Sequence, residues 1–289
     1  MMAPMPVYRD YDQAELDAQL NPRAATPSFF HHFRRWGEAS AAARAARAAE
    51  LDLAYGHAPA EKLDFFRVPG LAAPLLVFIH GGDWHSLDKA DFAFLAPAFL
   101  DRGIAVALVN YGHAPATPLA EMVEQIRRAI AYLYRQAAAL DIDPTRIHLA
   151  GHGAGAQLAM AALVPSWRPY ELLGNPIQGA LGLSGLYDLE PVRLSYLNAA
   201  LGLDHEAAER WSPLHLPPPR GTRLLLAAGG RDSFEFRRQL RAFAGAWGDQ
   251  GAAVEMLELP GEDHFSLLAR LAEPDSTLCR ALLPRLLAL

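Results

Sequence analysis

At 289 residues, 52% hydrophobic and 20% charged, the chain can bury a substantial core as one large α/β domain. A net charge of −6 with no basic block argues against nucleic acid or an anionic membrane as its main partner. A single cysteine, Cys279, excludes an internal disulfide.

Met1–Leu20 carries acids and prolines and has no apolar stretch of the kind a secretory signal needs. The apolar runs are too short to span a bilayer. The expectation is a cytoplasmic protein, with a homodimer left open.

Residues 1–60 read as a helical N-terminal extension. Tyr11–Asn21 is a short amphipathic piece, and Ser40–Asp52 is rich in alanine and arginine, both strong helix formers. From Leu63 the pattern changes to alternating strands and helices. Leu63–Val68 alternates weakly, as an edge strand does. Leu75–His80 is a continuous apolar run, expected of a strand buried on both faces. Phe92–Arg102 is helical and stops at Gly103. Ile104–Asn110 is a second buried strand, and Pro118–Leu140 has apolar residues at helical spacing. Arg146–Ala150 is a strand that runs into Gly151-His152-Gly153-Ala154-Gly155. Strands at Ile177–Leu183, Leu224–Ala228 and Val254–Leu259 follow, with helices at Phe234–Trp247, His264–Leu271 and Thr277–Leu289. Such alternation predicts parallel strands joined by right-handed crossovers. Residues 189–220 interrupt it with prolines and little strand character. They read as a small helical cap insertion over the C-terminal edge of the sheet, where open α/β folds bind ligands.

Gly151–Gly155 has the frame of a nucleophile elbow, G-x-S-x-G, with Gly153 where the serine belongs. The outer glycines suit a strand-to-helix turn too sharp for side chains. Acyl-transfer hydrolysis also needs a base, an acid to orient it, and oxyanion donors. Asp232 is the candidate acid, directly after a buried strand, although Asp232 or Ser233 could equally cap the next helix. His264, on a glycine-containing loop after the last strand, is the candidate base, and Asp263 beside it is expected to cap a helix. His80-Gly81-Gly82-Asp83-Trp84 follows a buried strand and could present the N–H groups of Gly82 and Asp83, with that of Ala154, to one oxygen. The chain order of elbow, acid and histidine is that of α/β-hydrolases. No histidine spacing suggests a metal. Gly151–Gly155 is not a dinucleotide loop, because G-x-G-x-G is not G-x-G-x-x-G and lies late in the run of strands.

Taken together, His80–Trp84, the elbow frame, Ser184-Gly185-Leu186-Tyr187-Asp188-Leu189, Asp232-Ser233 and Asp263-His264-Phe265 resemble the kynurenine formamidase (arylformamidase) branch of the α/β-hydrolase esterases. The resemblance runs from about Tyr55 to the C-terminus, and Asn21-Pro22-Arg23 is similar as well. It implies a mostly parallel eight-stranded sheet flanked by helices, no metal, no cofactor, and cleavage of an ester or formamide beside an aromatic group. Trp84, Tyr187, Phe234 and the 189–220 insertion are the expected cleft walls for such a small-molecule substrate.

The departure is Gly153. Three readings follow: an engineered serine-to-glycine knockout of an active parent, a natural hydrolase in which His264 activates water directly, or a non-catalytic binding protein of hydrolase descent.

Overall fold

The computed structural model describes residues 5–70, 72–163 and 166–287. Its strands form a single sheet: β1 (Ala49–Ala54), β2 (Lys62–Phe66), β3 (Ala73–Ile79), β4 (Ala105–Val109), β5 (Ile142–His152), β6 (Ile177–Leu183), β7 (Arg223–Gly229) and β8 (Ala253–Leu259). The strand order is β1-β2-β4-β3-β5-β6-β7-β8. β1 and β2 run antiparallel to their neighbours, and every pairing from β4 through β8 is parallel.

β3 shows why an unbroken apolar run is needed. Leu75, Val77 and Ile79 point into one core, while Leu76 and Phe78 point into the other. All five are at most 1% exposed. With helices on both faces, neither side of the strand can be polar.

The helices are α1 (Gln13–Gln19), α2 (Pro22–Ala25), α3 (Phe29–Ala46), α4 (Ala96–Leu100), α5 (Leu119–Arg135), α6 (Ala154–Ala162), α7 (Glu190–Arg193), α8 (Asn198–Leu201), α9 (His205–Trp211), α10 (Phe234–Gly248), α11 (His264–Arg270) and α12 (Thr277–Leu287). Buried residues of α5, α6 and α10 join the core of Leu75. Those of α3, α4, α11 and α12 join the core of Phe78.

The reading of residues 1–60 as helical is corrected at its end. The alanine-rich helix stops at Ala46, and 49–54 is strand β1. Ala49-Glu50-Leu51-Asp52-Leu53-Ala54 has little strand propensity of its own. Its conformation comes from pairing with β2, where Ala49 faces Phe66 and Ala54 faces Lys62. The stretch between β6 and β7 holds the three short helices α7–α9 and no strand. It is tied to α6 where the Gln157 side-chain amide donates to the Trp211 carbonyl at 2.9 Å.

The N-terminal helices lie across the body of the fold. Ser233 Oγ donates to the Gln19 carbonyl at 2.6 Å, and the Glu235 N–H donates to Gln19 Oε1 at 3.0 Å. The Tyr196 N–H donates to Asp17 Oδ1 at 2.9 Å. Leu16 and Leu20 are buried beneath them.

Candidate active site

β5 turns into α6 at Gly153, whose φ of 56° and ψ of −120° are unfavourable for residues with a side chain. The turn is closed so tightly that a Cβ on Gly151 would collide with the Gly155 carbonyl, and one on Gly155 with the Ile79 carbonyl. This is the steric requirement behind the two outer glycines. Position 153 differs: a Cβ there meets only the His264 ring, 3.5 Å from Nε2 and 3.7 Å from Cε1. The turn has room for a side chain at this position alone among the three, and that side chain would point at the histidine.

His264 begins α11 and is 7% exposed. Asp263 caps this helix, accepting from the N–H groups of Phe265 and Ser266, as expected. The cap fixes the loop that delivers His264. Its ring packs against Phe236 and His152, with centroids 5.0 and 4.4 Å away.

Behind the ring, Asp232 Oδ1 lies 3.3 Å from His264 Nδ1. The approach is off the line of a good hydrogen bond, yet both atoms are sealed from solvent and neither has another partner among the described residues. Asp232 Oδ2 accepts from Ser184 Oγ at 2.6 Å and from the Gly229 N–H at 2.9 Å. Burial alone would raise this carboxyl's pKa. The histidine, the serine hydroxyl and the main-chain N–H outweigh it and hold the pKa below the usual range. Ser233 caps α10, so the alternative of Asp232 as the cap is not what the structure shows.

Ser184 is a contact that sequence reasoning assigned no role. It sits at the end of β6 with φ +43°, its N–H donating to the Ala227 carbonyl at 2.8 Å. Only the adjacency of β6 and β7 brings it to Asp232. His152 was likewise without a role. Its Nε2 lies 2.8 Å from the His264 carbonyl. Burial, and then the neighbouring His264, depress its pKa to about 3, so it is neutral and donates from Nε2.

The loop after β3 has three successive positive φ values, at Gly82 (106°), Asp83 (55°) and Trp84 (60°). A Cβ on Gly82 would overlap the Ser86 carbonyl. The strained turn is held by Trp84, whose Nε1 donates to Gln157 Oε1 on α6 at 2.9 Å. The N–H groups of Gly82, Asp83 and Ala154 have no main-chain acceptor among the described residues.

None of the three expected aromatic cleft walls lines the hollows around His264. Trp84 and Tyr187 are both fully buried. Trp84 is committed to Gln157, and the Tyr187 ring stacks on Phe243 at 4.3 Å. Their large apolar surfaces serve packing. Phe234 is 55% exposed on α10 and does not line the hollows around His264.

Those hollows are lined instead by Asn21, Pro22 and Arg23 from the N-terminal segment and by Phe33, Trp36 and Phe265. They measure about 10 and 20 Å³, room for little more than a water. The N-terminal segment therefore closes the cleft. Arg23 reaches the loop after β3, with Nη2 3.1 Å from Ser86 Oγ and 3.9 Å from Asp83 Oδ2.

Among the described residues, no cluster of three His, Cys, Asp or Glu could hold a metal ion, and no helix is long and apolar enough to cross a membrane.

A parallel sheet with an elbow, a buried acid and a histidine converging at its C-terminal edge is the arrangement of an α/β-hydrolase. The BD-FAE family model matches residues 66–168. A solved structure from Silicibacter sp. TM1040, provisionally assigned as a thioesterase, superposes with a TM-score of 0.81 at 30% identity, covering 92% of this chain and 98% of that one. The esterase LipW from Mycobacterium marinum has the same fold, with a TM-score of 0.71 at 19% identity over 91% of this chain and 88% of its own. Kynurenine formamidase of Salmo salar is 31% identical over 96% of this chain and 97% of its own length. That of Danio rerio is 30% identical, again over 96% and 97%. The chain belongs to the kynurenine formamidase family of α/β-hydrolases.

Proposed function

We propose that this site is built to cleave an ester or formamide beside an aromatic group, through a serine at position 153 that this chain lacks. The observation that carries the reading is the open space at Gly153, whose added Cβ would sit 3.5 Å from His264 Nε2. A serine Oγ on that Cβ would hand its proton to Nε2 as it attacks the carbonyl carbon. Asp232, held by Ser184 and Gly229, orients the imidazole and stabilises its protonated form. The N–H groups of Gly82, Asp83 and Ala154 are the donors for the oxyanion. The protonated His264 gives its proton to the leaving amine or alcohol as the C–N or C–O bond breaks, and water then attacks the acyl-enzyme with the neutral His264 as base, releasing the acid and the serine.

The intact acid, base and donors favour a serine in the parent of this chain, with glycine as its replacement. In a natural glycine protein, the same hollow would admit a water for direct attack, with His264 as its base and no acyl-enzyme. The substrate is a small molecule. The formamidases among its relatives favour an N-formyl aryl amine, and the esterases an aryl ester.

The test is Gly153→Ser assayed on N-formylkynurenine and on a panel of aryl esters. Gain on the formamide supports the formamidase reading. Gain on esters alone keeps the hydrolase and discards the formamidase assignment. No gain in a folded protein would discard serine catalysis and favour a binding role.

A further inference from the structure

A hollow much larger than those beside His264 lies away from the elbow, a groove of about 560 Å³ at the opposite edge of the sheet, near the N-terminal ends of β5, β6 and β7. Its size is that of a small-molecule site.

Its floor is set by strand register. His148 pairs with Gly179, and the next residues, Ala180 and Leu224, pair in turn, so His148, Gly179 and Arg223 form a row across three strands. Two residues further along each strand, Ala150, Leu181 and Leu225 enter the core shared with α12. By the two-residue alternation of strands, the row faces α12 as well. The middle member has no side chain. A Cβ on Gly179 would come 3.1 Å from the Arg223 carbonyl and 3.4 Å from His148 Nδ1. The missing side chain leaves a slot between the His148 imidazole and the carbonyl and Cβ of Arg223, in a groove also lined by Leu282 and Arg285 of α12.

The charges in this groove are unequal in their commitments. Arg146 Nε is paired with Asp143 Oδ2 at 2.8 Å, and Arg285 with Glu255. Arg223 has no ion pair or side-chain hydrogen bond among the described residues, although it lies on the wall of this groove. His148 is 7% exposed and its ring makes no hydrogen bond among the described residues. The His148 imidazole lies close enough to Arg146 and Arg223 to feel both charges, and its ring is free to bond whatever enters the groove.

We propose that this groove is a second, non-catalytic binding site for a small oxyanion, a carboxylate or a phosphate or sulfate group, held by Arg223 and His148 with Arg146 and Arg285 at its rim. Guanidinium groups match such anions in geometry and charge, and the imidazole supplies an N–H. The site stands independently of the hydrolase reading.

Proton uptake gives it a signature. In the empty groove, burial and then the charges of Arg146 and Arg223 depress the pKa of His148 to about 4. Asp143 and Glu255 are the acids nearby, each already paired with an arginine. A bound anion favours the imidazolium, so the bound-state pKa is higher and binding takes up a proton. Affinity must then rise as pH falls through the bound-state value toward the empty-groove value of about 4.

Calorimetric titration of the full chain at low salt with sulfate, whose charge is constant from pH 5 to 8, tests this. The expected result is saturable binding to one site that tightens between pH 7.5 and 5.5. Arg223→Gln, an exposed position, should weaken it about tenfold or more while circular dichroism is unchanged. His148→Gln should abolish the pH dependence, and His264→Gln should change nothing. Benzoate is run in parallel, and the tighter probe assigns the headgroup. Absence of saturable binding by both probes, or loss in His264→Gln rather than Arg223→Gln, would overturn the proposal.

Discussion

Ser184 Oγ donates to Asp232 Oδ2 at 2.6 Å, which leaves Oδ1 as the oxygen facing His264 Nδ1 at 3.3 Å. The serine occupies one side of the carboxylate so that the other is aimed at the histidine. In the Gly153→Ser background, Asp232→Asn is expected to lower kcat by on the order of 10⁴, because the amide favours the wrong imidazole tautomer. Ser184→Ala removes one charge-assisted bond and should cost about 1.5–3 kcal/mol of stability, with a smaller fall in kcat. Urea unfolding and steady-state kinetics on the two variants check both values. Equal falls in kcat would mean that Ser184 does more than position the acid.

Gly153→Ser places a side chain at φ 56°, where glycine is at ease and serine is not. The variant should be less stable by about 1–3 kcal/mol. Activity should move the other way. Removing a triad nucleophile costs on the order of 10⁶ in kcat in subtilisin, so restoration should recover several orders of magnitude on an accepted substrate. A stability gain in thermal melts would show that the elbow relaxes away from the geometry described.

A fluorophosphonate should leave the present chain unlabelled and label Gly153→Ser once per chain. Intact-mass spectrometry reads this directly. Adduct on the present chain at Ser184 or Ser86 would show the nucleophile to be elsewhere. Ser184 Oγ is engaged by Asp232, and Ser86 Oγ donates to the Gly82 carbonyl at 2.8 Å.

Stability should fall in mild acid. The folded-state pKa is depressed from 6.5 to about 3 at His152 and to about 4 at His148, with burial the largest cause at each. Between about pH 6.5 and 4 the unfolded chain binds protons that the folded chain refuses, so stability rises with pH across this window and is lost as pH falls through it. Each group contributes a slope of up to about 1.4 kcal/mol per pH unit. Denaturant midpoints from pH 7.5 to 4.5 should show the fall, and His148→Gln should flatten part of it. A profile unchanged over this range would mean that these rings reach solvent.

The segment closing the cleft should be separable from the body. Leu16 and Leu20 anchor it, so Leu16→Ala with Leu20→Ala should raise amide exchange across residues 12–26 and leave β3 and β5 protected. In the Gly153→Ser background the same pair should lower KM for bulky aryl esters if opening limits entry. Uniform exchange increases through the sheet would instead make these leucines part of the global core.

Much of this protein is determined within short windows of sequence. The run Leu75–Ile79 is apolar throughout because both its faces are covered, and that can be read without knowing what covers them. Gly151 and Gly155 are required by clashes within the elbow and with β3, so a five-residue frame announces the turn. The chain order of the elbow, Asp232 and His264 follows from the alternation of strands and helices. What the windows could not contain was decided by contacts between distant residues. β1 is a strand because β2 offers it an edge, against the helix propensity that precedes it. Trp84 and Tyr187 are apolar enough for a cleft or a core, and only the positions of Gln157 and Phe243 made them core. The cleft is closed by Asn21, Pro22 and Arg23, held there by bonds such as Ser233 to Gln19 across 214 positions of chain. Periodicity records which side of an element is buried. It does not record against what, and that is where the walls of this site are decided.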